Sequence, residues 1–262
     1  MNYVEISLSR LALAVLFIAV AVVLSWRSKL DLEKDLAWGA LRAAVQLIAI
    51  GYVLILLFRE PEHPLLVFAA LGVMLTTAAA TSARRVEHGP PWRVLFPRAF
   101  LAIGAGAVVA LVPVFTVIVP PSPWYEARYL IPIGGMMLSN SMNTVALVFE
   151  RIFATARSEA PLVEQMLALG ATDRQAIAPY VRSTVRAAMI PTINGLVTVG
   201  LVALPGMMTG QILSGTAPEQ AVRYQLVIMY QLVAVAAVSG VLAAHFARRL
   251  LFTKRMQLTL PG

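Results

Sequence analysis

The stretch Glu164-Gln-Met-Leu-Ala-Leu-Gly170-Ala-Thr-Asp-Arg-Gln175 sits in a polar segment, Glu150 to Ala188, between two apolar runs, Tyr129–Phe149 and Met189–Met208. The segment is too polar to enter a bilayer and too short to be a domain. Ser158 suits a helix cap and Pro161 a first helical turn. Leu162, Val163, Met166, Leu167 and Leu169 then recur at helical spacing as one apolar stripe. Gly170 suits a left-handed C-terminal cap. Thr172-Asp-Arg-Gln175 reads as a capping box opening a second helix, which runs into the next apolar run with a kink predicted at Pro179. A helix–glycine turn–helix hairpin, about residues 158–188, therefore joins two membrane spans. The fold class is an all-α integral membrane protein, a single transmembrane domain over residues 1–262.

The rest of the chain agrees. Of 262 residues, 59% are hydrophobic and only 13% charged, against roughly a quarter charged in soluble domains. Mean hydropathy is +0.78. The net charge of +8 does not indicate nucleic acid, because the basic residues lie between apolar runs and no soluble domain is long enough to hold them. Cysteine is absent, which excludes disulfides and thiolate chemistry. Glu5 and Arg10 argue against a cleaved signal peptide.

About 20 apolar residues cross a ~30 Å hydrocarbon core, and seven runs qualify: Ile6–Leu24, Ala37–Phe58, Pro64–Thr81, Phe100–Val119, Tyr129–Phe149, Met189–Met208 and Leu226–Phe246. Basic residues favour the cytoplasmic side. Alternate connections carry Arg27, Lys29 and Lys34; Arg84, Arg85, Arg93 and Arg98; Arg151, Arg157, Arg174, Arg182 and Arg186; and Arg248, Arg249, Lys254 and Arg255. The opposite side has Arg59, Arg128 and Arg223. The expectation is seven transmembrane helices, N-terminus outside, C-terminus cytoplasmic, with the hairpin between helices 5 and 6 in the cytoplasm.

Two readings of the hairpin compete: a coupling helix seated in a groove of a partner protein, or an interfacial helix lying on lipid. A Glu followed six residues later by Gly, in the last large cytoplasmic loop, resembles the motif by which ABC-transporter permeases contact their ATPase subunits. That motif has two alanines after the Glu, where Gln165 and Met166 stand here. The resemblance implies an ATPase-coupling set of Glu164, Leu167, Leu169, Gly170, Ala171 and Thr172.

The flanking spans are the most polar. The fifth carries Gly134-Gly-Met-Met-Leu-Ser-Asn-Ser-Met-Asn143, and the sixth Pro191-Thr-Ile-Asn194 and Leu204-Pro-Gly-Met-Met-Thr-Gly-Gln211. Intramembrane amides and hydroxyls are costly unless they face water or other helices. As a cluster, Asn140, Ser141, Asn143, Asn194, Met207, Met208, Thr209 and Gln211 read as the lining or gate of a translocation path, with Arg42 and Gln46 as further candidates. Taken singly, each could equally bond between helices, and Gly134-Gly135 and Gly206-x-x-x-Gly210 suit close packing. The methionines read as gap-fillers rather than soft-metal ligands, so no metal site is assigned.

All thirteen carboxylates fall in loops or at span ends, which argues against a proton-coupled carrier. No Schiff-base lysine lies in Leu226–Phe246, no His-Glu-x-x-His or Gly-x-Ser-x-Gly occurs, and no Gly-x-x-x-x-Gly-Lys-Ser/Thr loop exists to bind ATP. The chain is read as no enzyme in itself and as holding no cofactor. If ATP drives it, a separate subunit hydrolyses it.

The stretch Gly134 to Gln231 resembles the FetB-like family of iron-export ABC transporter permeases, formerly an uncharacterised membrane-protein family, whose plant relatives are linked to aluminium tolerance. Asn140-Ser-Met-Asn143, Glu164 with Leu169-Gly-Ala-Thr172, Arg186-Ala-Ala-Met-Ile-Pro-Thr-Ile-Asn194, Gly200-Leu-Val-Ala-Leu-Pro-Gly-Met-Met-Thr-Gly-Gln-Ile-Leu213 and Ala221-Val-Arg-Tyr-Gln225 carry it, and Arg42-Ala-Ala-Val-Gln-Leu47 extends it. Ser139 and Gly195 depart from the expected Gly and Ser. The resemblance implies a multi-pass permease of the cell inner membrane, a homodimer pairing with an ABC ATPase subunit and exporting iron, another metal or a metal-linked solute. Iron prefers carboxylate and other oxygen ligands, and the spans offer no carboxylate. An ion-coupled carrier acting alone and a non-transporting scaffold are the alternatives.

Overall fold

The computed structural model describes residues 7–59, 63–253 and 255–260. Ile6, the predicted start of the first span, and Lys254, one of the tail cations, lie outside the described residues. The described chain is helical, in two compact units, Met1–Pro61 and Glu62–Gly262.

The first unit is a hairpin of α1 (Leu8–Ser28) and α2 (Glu33–Arg59). Ser7 caps α1, and Lys29 ends it in the left-handed region at φ 54°. The turn is latched by Ser25, a buried hydroxyl that donates to Glu33 Oε1 at 2.9 Å and accepts from the Leu32 backbone N–H at 3.1 Å. Phe17, Leu47 and Tyr52 are among the apolar side chains it leaves outward, as lipid-facing helices do.

The second unit comprises α3 (Pro64–Arg84), α4 (Trp92–Pro113) with a π-helical turn Val114–Ile118, α5 (Ala127–Ser158), α6 (Ala160–Ala168), α7 (Asp173–Thr198), α8 (Gly206–Leu213) and α9 (Pro218–Leu251). Helix α5 packs against α3, α4, α7 and α9. The core sets Phe149, Phe153, Ile152, Leu95, Ile103 and Leu251 among alanines of α3, α4 and α9. Small residues let helix backbones approach where no hydrophobic force distinguishes helix from lipid. A Cβ on Gly106 would stand 3.1 Å from Val235 Cγ2 and 3.2 Å from its carbonyl oxygen, so α4 and α9 touch almost backbone to backbone there.

Among the described residues, five helices are long and apolar enough to cross a bilayer: α1, α2, α3, α4 with its π turn, and α9. The predicted second, third and seventh spans lie within α2, α3 and α9; α1 covers the first from Leu8 on, and α4 with its π turn covers the fourth except Val119. The fifth lies within α5, whose Glu150–Ser158 end continues as helix because it holds no glycine or proline.

The sixth span needs correction: Met189–Met208 is not one helix. Helix α7 ends at Thr198, and Val199–Pro205 is a non-helical turn before α8 begins at Gly206. Gly200 sits at φ 83°, a conformation that suits glycine, and its N–H bonds the Ala203 carbonyl at 3.0 Å. Val199 and Leu201-Val-Ala-Leu204 look like membrane helix by hydropathy; Gly200 and Pro205 decide otherwise. Up to Thr198 the second helix of the hairpin runs on as predicted, with Pro179 and Pro191 both inside a continuous α7.

Candidate functional site

The hairpin is built largely as its sequence predicts. Pro161 lies in the first turn of α6. Gly170 adopts φ 90°. Thr172 Oγ1 accepts from the Gln175 N–H at 3.3 Å while Gln175 Oε1 accepts from the Thr172 N–H at 2.9 Å, closing the capping box. Two details differ. Ser158 does not cap α6: it is the last residue of α5, its hydroxyl donating to the Thr155 carbonyl, and Glu159 alone separates the helices. Nor is the apolar stripe buried as a whole. Val163 is buried, Met166 and Leu167 half-buried, and Leu162 and Leu169 exposed, Leu169 by 82%. At 100° per residue, 162 and 169 share a direction about 100° away from 163.

Around the hairpin, Glu164 is exposed, and Gly170 and Ala171 line an open cleft with Glu164, Leu167 and the tail residues Arg255–Leu258. The tail is held there by a turn at Thr253, whose N–H bonds the Gln257 carbonyl at 3.0 Å. Asp173 at the start of α7 pairs with Arg248 near the end of α9 at 2.5 Å.

Glu150 lies one residue past the predicted fifth span. It accepts from the Glu87 N–H at 2.7 Å and meets His88 Nδ1 at 2.5 Å, pinning the α3–α4 loop to α5. Partial burial acts to raise its pKa, but the hydrogen bonds from the His88 ring and the Glu87 and His88 N–H groups outweigh this and hold the carboxyl below its ordinary range.

Among the predicted path residues, Asn140 proves to be a junction. Its Nδ2 donates to the Leu232 carbonyl of α9 at 2.8 Å, and its Oδ1 accepts from Thr192 of α7 at 3.1 Å. One side chain thus ties three helices together. Ser141, next to it, is fully buried, and its hydroxyl has no hydrogen-bond partner among the described residues. Asn143 faces outward near Arg85, 3.5 Å from its guanidinium. Asn194 is exposed, two residues from Thr192 and so on the opposite face of α7, outside the junction. On α8, Met208 is buried, Met207 half-buried, and Thr209 donates back to the Gly206 carbonyl at 2.9 Å. Gln211 Oε1 is buried without a partner. Arg42 and Gln46 are exposed on α2, in the other unit.

Sequence reasoning missed Thr192 as the partner of Asn140, although it quoted the residue. It also missed two buried glutamines of α9. Gln231 donates to the Ala110 carbonyl of α4 at 2.9 Å, while its Oε1 and that of Gln225 are buried without partners. The signal was present, since an amide in an otherwise apolar helix is expensive. The two glycine pairs also part company. A Cβ on Gly134 or Gly135 would meet Leu71 at 2.7 Å or Met74 at 2.8 Å, as close packing requires, whereas Gly206 and Gly210 have nothing within 4 Å.

The arrangement offers amide and hydroxyl oxygens at the meeting of α5, α7 and α9, next to the two helices that the hairpin joins. Among the described residues no group of three or more His, Asp or Glu side chains stands where it could hold a metal ion.

Comparison with known proteins gives the same grouping as the Pro205-Gly-Met-Met-Thr-Gly-Gln211 string. The model of the uncharacterised protein family UPF0014 matches residues 8–252. The chain is 36% identical over 258 residues to the Probable iron export permease protein FetB of Escherichia coli (strain K12), covering 98% of this chain and 97% of that one. It is 38% identical over 240 residues to the UPF0014 membrane protein slr1647 of Synechocystis sp., covering 92% and 91%. It is 33% identical over 247 residues to Protein ALUMINUM SENSITIVE 3 of Arabidopsis thaliana, covering 94% and 88%. No solved structure gives a significant match. The chain is a multi-pass membrane protein and belongs to the UPF0014 family.

Proposed function

We propose that the chain is the transmembrane permease subunit of an ABC exporter in the cell inner membrane, moving iron, another metal or a metal-linked solute. ATP is hydrolysed by a separate subunit that docks on Glu164–Thr172. Two copies of the permease pair with two ATPase subunits. The chain crosses the bilayer seven times, N-terminus outside and C-terminus cytoplasmic, with α5 and the broken α7–α8 segment as the two most polar crossings.

The observation that carries this reading is the Asn140 junction. It links α5 and α7, the two helices joined by the exposed hairpin, to α9. A displacement of the hairpin therefore bears on this three-helix contact. The printed name of the Escherichia coli relative supports export of iron. Because the junction supplies neutral oxygens, a chelated or otherwise charge-screened metal suits it better than a bare ion.

The test is reconstitution. The permease and an ABC ATPase that co-purifies with it are placed in liposomes with ferrous iron or an iron chelate. ATP-dependent movement of the metal, absent without either subunit, is the expected result. Movement by the permease alone would support an ion-coupled carrier, and no movement with either form of iron would refute the export reading.

A further inference from the structure

Between α7 and α9 lies an open groove, charged toward one end, its mouth, and apolar toward the other, its floor. Arg174, Arg182, His245 and Arg248 line it, and Val185 and the exposed Val241 line the apolar end. Only one of the three guanidinium groups has a carboxylate, Arg248 with Asp173. Arg174 and Arg182 make no ion pair or side-chain hydrogen bond among the described residues. They stand eight residues apart on α7, about 12 Å along the axis, facing one cavity of about 430 Å³.

Depth gives the pocket its meaning. The apolar run of α9 is predicted to end at Phe246, and Arg248 and Arg249 follow at once. Val241 thus lies at the level of acyl chains, and Arg248 at the level of headgroups. Gly240 approaches Val185 and Val148, so α7, α5 and α9 are closely packed behind the floor. A ligand that fits must be anionic at one end and apolar at the other. Inorganic phosphate satisfies the mouth and leaves the floor uncovered. A zwitterionic lipid covers the floor but brings a cation to a mouth that is already positive. Guanidinium forks suit phosphate oxygens better than a point charge does.

We propose that the α7–α9 pocket binds one anionic glycerophospholipid, its phosphate between Arg174 and Arg182 and an acyl chain against Val185 and Val241. The site does not depend on what the protein transports.

The test is native mass spectrometry of the full-length protein in mild detergent, with phosphatidylglycerol, phosphatidylcholine or inorganic phosphate added. The expected result is one retained phosphatidylglycerol per chain, preferred over phosphatidylcholine by about tenfold. The preference is lost in Arg174→Gln/Arg182→Gln and kept in Arg249→Gln, an exposed arginine outside the pocket. Equal retention of the two lipids by the native protein would overturn the site without recourse to any variant. So would an unchanged preference in the folded double variant. Phosphate held as tightly as phosphatidylglycerol would overturn the lipid assignment.

Discussion

Asn140 on α5 and Thr192 on α7 are 52 residues apart in sequence and share a hydrogen bond of 3.1 Å, while the same amide reaches Leu232 on α9. An asparagine that uses both ends of its amide on two different helices fixes their relative rotation and their separation. Replacing it should therefore cost more than replacing either partner.

Asn140→Leu should destabilise the solubilised protein by about 1–3 kcal/mol, because the Thr192 hydroxyl loses its acceptor and the Leu232 carbonyl its donor in a half-buried site. Thr192→Val should cost about 1 kcal/mol, since it breaks one bond of the two. Thermal unfolding of both variants in detergent measures the order. Equal losses would show that the junction does not act as a unit.

At the hairpin, Leu169 is 82% exposed, so Leu169→Asp should leave folding and insertion unchanged while weakening co-purification of the ATPase at least about tenfold, roughly 1.4 kcal/mol. Gly170→Pro should abolish co-purification, because proline cannot adopt the φ of 90° found there. Full retention of the ATPase by both variants would remove Glu164–Thr172 from the docking site.

The carboxyl of Glu150 is held below its ordinary pKa of 4.5, so it titrates at lower pH in the folded chain than in the unfolded one. Its contribution is complete above the ordinary value and is lost as pH falls through the folded value. Glu150→Gln should lower the thermal midpoint at pH 7, and the gap from the native protein should close on acidification below pH 4.5. A gap that stays constant from pH 7 to pH 3 would refute the ionised hydrogen-bond role.

Glycine distinguishes packed from open faces. Gly106→Ala should destabilise, because its Cβ would press on Val235 and Ser239 of α9. Gly210→Ala should stabilise α8 by about 0.5–1 kcal/mol, since nothing lies within 4 Å and alanine is the better helix former. If Gly206 and Gly210 form the face between two permeases, Gly210→Leu should also shift the native-mass distribution from dimer to monomer.

Legibility followed the range of the interactions. The Gly170 turn and the Thr172–Gln175 cap were readable because their chemistry closes within four residues. The seat of Val163 and the outward face of Leu169 were not, since a helical stripe does not say which of its edges meets a neighbour. Asn140 stood out as a costly amide, but its partners Thr192 and Leu232 are tertiary facts. The break after Thr198 was hidden because a hydropathy average spreads Leu201-Val-Ala-Leu204 over the two residues, Gly200 and Pro205, that end the helix. The glycine pairs are the plainest case: the same spacing argument applied to Gly134–Gly135, which is packed, and to Gly206–Gly210, which is open.

Helix α5 runs 32 residues without interruption, about 48 Å, and one residue, Glu159, joins it to α6. A single residue spans at most about 3.6 Å, which leaves no slack in the connection. Sliding α6 sideways therefore loads the end of α5 directly, with no linker to absorb the movement. The hairpin is less a tethered paddle than the handle of a lever, and Asn140 rides on the arm that it loads.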